Sequence, residues 1–296
     1  MRNVNFSGID MVSYIVTYLY EDEQQALKLT LIEAGYPLKE AECSTAFFQV
    51  KTPKLSLSLY RTGRLLLQGD DTELFLHSYL EELVARRYTI MSIGTDESGK
   101  GDYFGPLVVA AVRISRFDVE TLLRNSVQDS KAMADSSVVE VAKMIAEAIP
   151  HKVIVIGNKK YNELYEKIRN VNQILVWAHA TAAEALILPN EPQRIIIDRF
   201  SNPVHLQSRL KEHKNIDLIQ VENGERELPV AAASILARAE FLSRLKNISK
   251  RFGFEFPKGA GANVLEAGRE FIKKFGRERL GEVAKLHFKT TQKISQ

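Results

Sequence analysis

Residues 94–101 read Gly-Thr-Asp-Glu-Ser-Gly-Lys-Gly, and the identity of this stretch decides what the surrounding chain must be. A phosphate-binding P-loop needs a glycine, four residues, Gly-Lys and then a hydroxyl for the magnesium ion. Gly94, Gly99 and Lys100 match that register, but Gly101 stands where the hydroxyl belongs. Two adjacent carboxylates, Asp96 and Glu97, also lie in the loop that would wrap the anion, and they repel one unless a cation lies between. The stretch therefore reads as a metal site beside a phosphate site.

Outward from it, the chain has strand-length apolar runs at 91–95, 106–114, 152–156, 194–198 and 217–221. Helical patterns fill the intervals at 135–148, 160–168, 171–188 and 203–212, and the chain is mostly helical from Pro229 onward. This alternation predicts an α/β domain with buried strands. Upstream the character differs. A helical pattern at 22–35 ends near a glycine, alternation over 45–68 predicts an antiparallel hairpin turning at Arg61–Arg64, and 72–85 predicts another amphipathic helix. Residues 1–82 thus form a small α+β domain, 83–90 a linker, and 91–296 the larger domain. There is no internal repeat.

With 296 residues, 45% hydrophobic and 26% charged, the composition is that of an ordinary soluble protein. No apolar run is long enough to cross a membrane and no secretory leader pattern opens the chain, so a cytoplasmic protein is expected, with a monomer as the default. The single cysteine, Cys43, allows neither an internal disulfide nor a cysteine-rich zinc site. The net charge of +3 is uneven: residues 1–82 carry 7 basic and 12 acidic side chains, whereas 244–289 carry 12 basic and 5 acidic ones. The later excess suits a polyanion such as nucleic acid, although alone such a stretch is more often a solvated helix face.

Carboxylates end two of the predicted strands: Asp96 and Glu97 the first, Asp198 the run Ile195-Ile196-Ile197. In open α/β sheets, sites form at the carboxyl ends of strands, so acids from neighbouring strands can converge there. Hard divalent ions such as Mg²⁺ take oxygen ligands and bridge carboxylates to phosphate, which explains acids facing a polyanion. A fourth acid could come from Glu222, Glu225 or Glu227, just before the small-residue helix start at Pro229.

The run Gly94-Thr95-Asp96-Glu97-Ser98-Gly99-Lys100-Gly101-Asp102-Tyr103-Phe104-Gly105-Pro106-Leu107 resembles the active-site signature of type 2 ribonucleases H, and its Gly-Lys-Gly and Asp-Tyr-Phe-Gly portions resemble ribonuclease HIII. Ala231–Arg238, Pro257–Gly261 and Lys285–Phe288 are similar to later segments of that family. The hairpin Ser58-Leu59-Tyr60-Arg61-Thr62-Gly63-Arg64-Leu65-Leu66-Leu67-Gln68-Gly69 resembles its N-terminal domain, which is like the TATA-binding protein. The resemblance implies an α/β ribonuclease H-like catalytic domain with a small α+β N-terminal domain resembling the TATA-binding protein. It further implies metal-dependent cleavage of the RNA strand of RNA/DNA hybrids, leaving 3′-hydroxyl and 5′-phosphate ends, with Mg²⁺ or Mn²⁺ as cofactor.

By the same resemblance, Asp96, Glu97, Asp198 and Glu225 form the catalytic and metal-binding quartet. Glu225 is placed by counting back from the Pro229 helix, and Glu227 takes the same role if that loop shifts. Gly99, Lys100 and Gly101 meet the backbone at the scissile linkage; two glycines permit close main-chain approach and Lys100 adds positive charge. An enzyme choosing RNA in a hybrid must sense the 2′-hydroxyl. The N-terminal hairpin offers Lys51, Lys54, Arg61 and Arg64, with the Ser56 and Ser58 hydroxyls, as a binding face, against an overall acidic balance that only a polarised surface would overcome.

Other residues carry plainer readings. His179 lies between alanines in a helical stretch and reads as packed rather than catalytic, Trp177 reads as core, His287 has no role derivable from its surroundings, and Asp129-Ser130-Lys131 reads as local loop structure. Two rival functions stay open at this point: a non-catalytic nucleic-acid-binding protein, separated by metal dependence, and a P-loop nucleotidase, weakened by Gly101 and the loop carboxylates.

Overall fold

The computed structural model describes residues 14–40, 45–127, 130, 133–191, 193–198, 203–210, 213 and 215–294. Cys43, Asp129 and Lys131 lie outside these residues. The chain divides into two units, Met1–Thr89 with Ser115–Gln128, and Ile90–Ile114 with Asp129–Gln296. Residues 83–90, expected as a linker, are helical through Tyr88, and Val84, Ala85 and Tyr88 are buried, as a linker's side chains would not be.

The first unit contains β1 (Tyr14–Tyr18), α1 (Glu21–Glu33), β2 (Leu38–Glu40), β3 (Ala46–Lys51), β4 (Ser56–Tyr60), β5 (Arg64–Gln68), α2 (Thr72–Phe75), α3 (Glu81–Ala85) and α4 (Val119–Arg124). One π-helical turn, Leu76–Leu80, joins α2 to α3, so the helix expected over 72–85 is present with a π distortion inside it. The strands form one antiparallel sheet in the order β1-β5-β4-β3-β2. Residues 45–68 are therefore three strands of a five-stranded sheet rather than a lone hairpin. The β4–β5 turn is where the sequence puts it: Gly63 has φ +86°, and a Cβ there would lie 2.4 Å from the Leu19 carbonyl oxygen. Alternation works as expected, with Phe48, Val50, Leu57, Leu59, Leu65 and Leu67 buried on one face.

The second unit is built on β6 (Met91–Ser98), β7 (Leu107–Ile114), β8 (His151–Ile156), β9 (Gln193–Asp198) and β10 (Ile216–Val221), with α5 (Asp135–Ala148), α6 (Asn158–Ile168), α7 (Val171–Glu184), α8 (Pro203–Leu210), α9 (Leu228–Phe252), α10 (Ala262–Phe275) and α11 (Lys289–Ile294). The sheet order is β10-β9-β6-β7-β8; β6, β7 and β8 pair antiparallel, and β9 and β10 join parallel to β6. Helix α7 stops at Glu184, short of the expected 188: the Leu186 and Ile187 amides tighten onto the Ala183 and Glu184 carbonyls, and the Leu188 main chain is bound on both sides by the buried Gln193 amide, at 3.0 and 2.7 Å.

Helices cover both sheet faces. Ile93, Val109, Ala111, Ile195 and Ile197 pack into one core with Ile174, Leu175, Ala178 and Ala182 of α7. On the opposite face α9 lies directly against β6: a Cβ on Gly94 would come within 2.2 Å of the Pro229 carbonyl carbon and the Val230 nitrogen. Gly94 is thus a strand residue that lets a helix backbone touch the sheet, not a loop glycine around phosphate. No helix among the described residues is long and apolar enough to cross a membrane.

Because backbone rather than a flexible side chain fills the space beside Gly94, Gly94→Ala forces α9 away from β6. The expected loss is about 1–3 kcal/mol of folding free energy. Denaturant midpoints measure it, and an unchanged midpoint contradicts the close packing described.

Candidate active site

Asp96 and Glu97 lie at the end of the first strand, as expected, but β6 runs on to Ser98, past the expected 91–95, so both are strand residues. Pairing with β7 continues through Asp96↔Ala110, Glu97↔Val109 and Ser98↔Val108, whereas pairing with β9 ends at Thr95↔Ile197. The next step of that parallel register sets Asp96 level with Asp198, the last residue of β9. In-register neighbours point to the same face, and Ile195 and Ile197 face α7, so Asp198 and Asp96 share the α9 side. Glu97 alternates to the α7 side.

Each acid is held by neighbours from a different element. Asp96 accepts from the Glu97 amide at 2.8 Å and hydrogen-bonds Ser234 of α9, whose hydroxyl lies 2.9 Å from that of Ser130. Asp198 accepts from the Gly224 amide at 3.3 Å. Glu97 meets His179 Nε2 at 3.2 Å and Lys100 Nζ at 3.2 Å, and His179 Nδ1 lies 2.8 Å from the Thr95 hydroxyl. His179 is fully buried. Sequence reading took it for a packed helical residue; it is packed, and it also orients a site carboxylate. Only the fold reveals this, since its partners are 82 and 84 residues away.

Burial and the adjacent Glu97 charge push the Asp96 carboxyl up to about 6, against the lowering effects of Ser234, the Glu97 amide and His179. Burial acts to raise Glu97 too, but His179 and Lys100 outweigh it and hold that carboxyl down to about 2. A carboxyl that resists ionisation beside an ionised one is a place where a divalent cation gains most, so the donor set fits a hard metal ion.

Asp96, Glu97 and Asp198 line one cleft of about 780 Å³, with Gly99, Lys100, Gly101, Asp102, Ser130, Ser234, Arg238 and Lys258 among its walls. Arg238 and Lys258 both pair with Asp135, at 2.6 and 2.7 Å, and Arg238 also donates to the Ser130 carbonyl. The residues 99–106 are a turn between two antiparallel strands, not a strand-to-helix loop, and this overturns the P-loop reading. Gly99 has φ +87° and a Cβ there would lie 2.2 Å from the Pro106 carbonyl oxygen, while the space around Gly101 is open.

Glu225 is not among the cleft-lining residues. It is half-buried on the 3-10 turn Gly224–Arg226, one residue from the amide that binds Asp198, whereas Glu227 is buried at the N-cap of α9. No three of the four carboxylates bring ligand atoms within 4.8 Å of one another; among the described residues that spacing occurs at His77, Glu81 and Glu120 in the first unit. There Arg124 pairs with Glu73 and Glu120, as in an ion-pair network.

The four N-terminal cations do not form one cluster. Lys51, Lys54, Arg61 and Arg64 are all exposed, with Lys54 and Arg61 in the turns at opposite ends of β4. Lys51 and Arg64 share the open sheet face with Gln49, Ser56, Ser58 and Tyr60. Much of the unit's acidity lies elsewhere, with Glu21, Asp22 and Glu23 in α1 and Glu73, Glu81 and Glu82 along 72–85. The open sheet face thus carries Lys51 and Arg64, while these acids lie on the helices.

The raised Asp96 pKa has a sign that can be checked. The stability contributed by the protonated carboxyl is fully present below the ordinary carboxylate range and is lost as pH rises through about 6. In metal-free buffer at pH 7.5, Asp96→Asn is expected to stabilise the fold by roughly 1 kcal/mol, discounted for partial exposure, with no gain at pH 3.5. Thermal midpoints at the two pH values test this; a variant less stable than wild type at pH 7.5 contradicts it.

The family model for Ribonuclease HII matches residues 93–291. Ribonuclease HIII of Chlamydia pneumoniae is 36% identical over 293 residues, covering 95% of this chain and 97% of the relative. Ribonuclease HIII of Chlamydia abortus is 37% identical over 298 residues, covering 96% and 98%. Among solved structures, Bst-RNase HIII in complex with Mn²⁺ superposes with a TM-score of 0.67 at 30% identity, covering 96% of this chain and 98% of that one. The signature turn between β6 and β7, the acids of β6 and β9 and these whole-length similarities lead to one assignment: the chain belongs to the type 2 ribonuclease H family, with the ribonucleases HIII.

Proposed function

We propose that this protein is an endoribonuclease that cleaves the RNA strand of RNA/DNA hybrids by metal-assisted hydrolysis, leaving 3′-hydroxyl and 5′-phosphate ends. The observation that carries the reading is the level pair Asp96 and Asp198 at the fork between β6 and β9, beside Glu97 and the Gly99–Gly101 turn. A non-catalytic nucleic-acid-binding role is less favoured, since simple phosphate binding has no use for adjacent carboxylates in the cleft.

Asp96, Glu97, Asp198 and Glu225 are the residues that would hold the cation, Mg²⁺ or Mn²⁺; the Mn²⁺ complex of Bst-RNase HIII supports this choice. When bound, such an ion supplies charge stabilisation at the phosphate and a more acidic water. The chain's own residues do the rest. The main chain of Gly99 and Gly101 approaches the substrate backbone, and Lys100 contributes its charge there. Arg238 and Lys258, held by Asp135, add positive charge along the cleft wall. His179 keeps Glu97 ionised and aimed.

Residues 1–82 are proposed as a substrate-binding domain resembling the TATA-binding protein, and 91–296 as the catalytic domain, in a monomer acting in the cytoplasm. The open sheet face supports this: Lys51 and Arg64 on it, with Lys54 and Arg61 in the flanking turns, are proposed to meet phosphates, and Ser56 and Ser58 to meet hydroxyls.

Cleavage of an end-labelled hybrid, against matched RNA and DNA duplexes, in Mg²⁺, Mn²⁺ and EDTA tests the reaction. Asp96→Asn is expected to lose at least about a hundredfold in rate while staying folded; wild-type cleavage by that variant would refute the mechanism. Glu225→Gln should lose activity and Glu227→Gln keep it, the reverse result transferring the role to Glu227.

For the N-terminal face, Lys51→Ala and Arg64→Ala in the full chain should each weaken hybrid binding and reduce the slope of log affinity against log salt by about 1. Unchanged slopes would remove the sheet face from the substrate contact.

A further inference from the structure

Lys285 is fully buried, yet the reaction proposed above gives it no part. Its Nζ donates to the Asp102 carbonyl at 2.8 Å and the Gly105 carbonyl at 2.6 Å, and its main-chain N–H donates to the Tyr103 carbonyl at 2.9 Å. One lysine thus binds three carbonyls of the β6–β7 turn. The flanking residues extend the join: Phe104 and Ala284 form an antiparallel bridge, and the Gly105 amide donates to the Val283 carbonyl at 2.9 Å. Asn158 adds a second donor to the Gly105 carbonyl at 2.8 Å, and the Tyr161 ring lies 5.8 Å from the ammonium.

An ammonium taken wholly out of water costs several kcal/mol unless its protons are satisfied. The cost is visible as burial driving the Lys285 pKa down to about 7, with Asp102 only partly opposing it. A methionine would fill similar space without that cost, so packing alone does not account for a lysine here. What the amine adds is donors that fix the direction of two carbonyls bracketing Tyr103 and Phe104. The turn suits such a fixture: it starts and ends at glycines with φ +87° and +81°, Gly99 and Gly105, residues whose missing Cβ lets the backbone adopt more than one direction unless hydrogen bonds fix it. The other side of the same turn, Gly99–Gly101, faces the cleft.

We propose that Lys285 is a positioning residue for substrate capture: it clamps the turn from behind and so sets where the Gly99–Gly101 main chain meets the nucleic-acid backbone. This rests on the hydrolase reading above. Lys285 touches neither the substrate nor the carboxylates; it acts through Asp102 and Gly105.

The test uses the full-length protein and steady-state and single-turnover cleavage of an RNA/DNA hybrid. Absence of hybrid cleavage by the wild type would defeat the hydrolase reading itself; the comparison below applies once that cleavage is seen. Lys285→Met is expected to stay folded and lose about 10- to 100-fold in kcat/KM, the scale of lost hydrogen bonds to a charged group, with most of the loss in KM. In Lys285→Ala, ethylammonium should restore KM, whereas ethanol at equal concentration should not. Wild-type kcat/KM in folded Lys285→Met overturns the proposal. So does a loss confined to kcat, or a Lys285→Ala variant whose thermal midpoint ethylammonium restores without restoring KM. If Lys285→Met does not fold, the amine-dependent KM of Lys285→Ala decides alone: recovery supports the clamp and its absence rejects it.

Discussion

Parallel pairing of β6 with β9, with Met91 level with Gln193 and Thr95 with Ile197, carries Asp96 and Asp198 to one height and one face of the sheet. A slip of one residue would send the two side chains to opposite faces. The register is held from both sides: Ile93, Ile195 and Ile197 interlock with α7, and Gly94 lets the α9 backbone rest on the strand. The β9 ladder ends just where the carboxylates begin, which leaves that flank of β6 unpaired and open to the cleft.

Charge follows from this placement. Two acids adjacent in sequence alternate across the sheet, so Asp96 meets Ser234 and a buried, anionic setting, while Glu97 meets His179 and Lys100. Their pKa values are driven apart by surroundings rather than by residue type, in the pattern expected of functional carboxylates. Thr95 serves the same end from within the strand, since its hydroxyl fixes the ring that fixes Glu97.

The turn between β6 and β7 gathers contacts from distant parts of the chain. Asp102 accepts from the Gly259 amide at 2.6 Å, Tyr103 donates to the Gly259 carbonyl at 2.8 Å, and Val283 and Lys285 bind its far end. The segments around Gly259 and Lys285 thus both bind the main chain of this turn. In the first unit, alternation performs a different task, as it buries one face of the sheet in leucine and phenylalanine and leaves the other to Lys51, Ser56, Ser58, Tyr60 and Arg64.

Much of this was legible in the sequence because it is encoded locally. Strand and helix periodicity located the elements of the second unit to within a few residues, and the Asp-Glu pair before Gly-Lys-Gly marked the candidate site, since adjacent carboxylates beside a glycine-rich turn suit a cation and a phosphate. The turn at Gly63 was likewise readable, because a positive φ demands glycine. Long-range pairing was not. Strands β1 and β2 are short and gain meaning only as partners of β5 and β3. The reason for a glycine at position 94, inside the predicted strand 91–95, lies in the α9 backbone packed against it, and His179 and Lys285 carry no local sign of function because their partners are 82 to 183 residues away. The sequence by itself determined which chemistry the chain carries. The tertiary structure decided which side chains share a face, which are buried enough to shift their protons, and which distant segment binds the β6–β7 turn, because register and burial are properties of the packed sheet and not of any one stretch of residues.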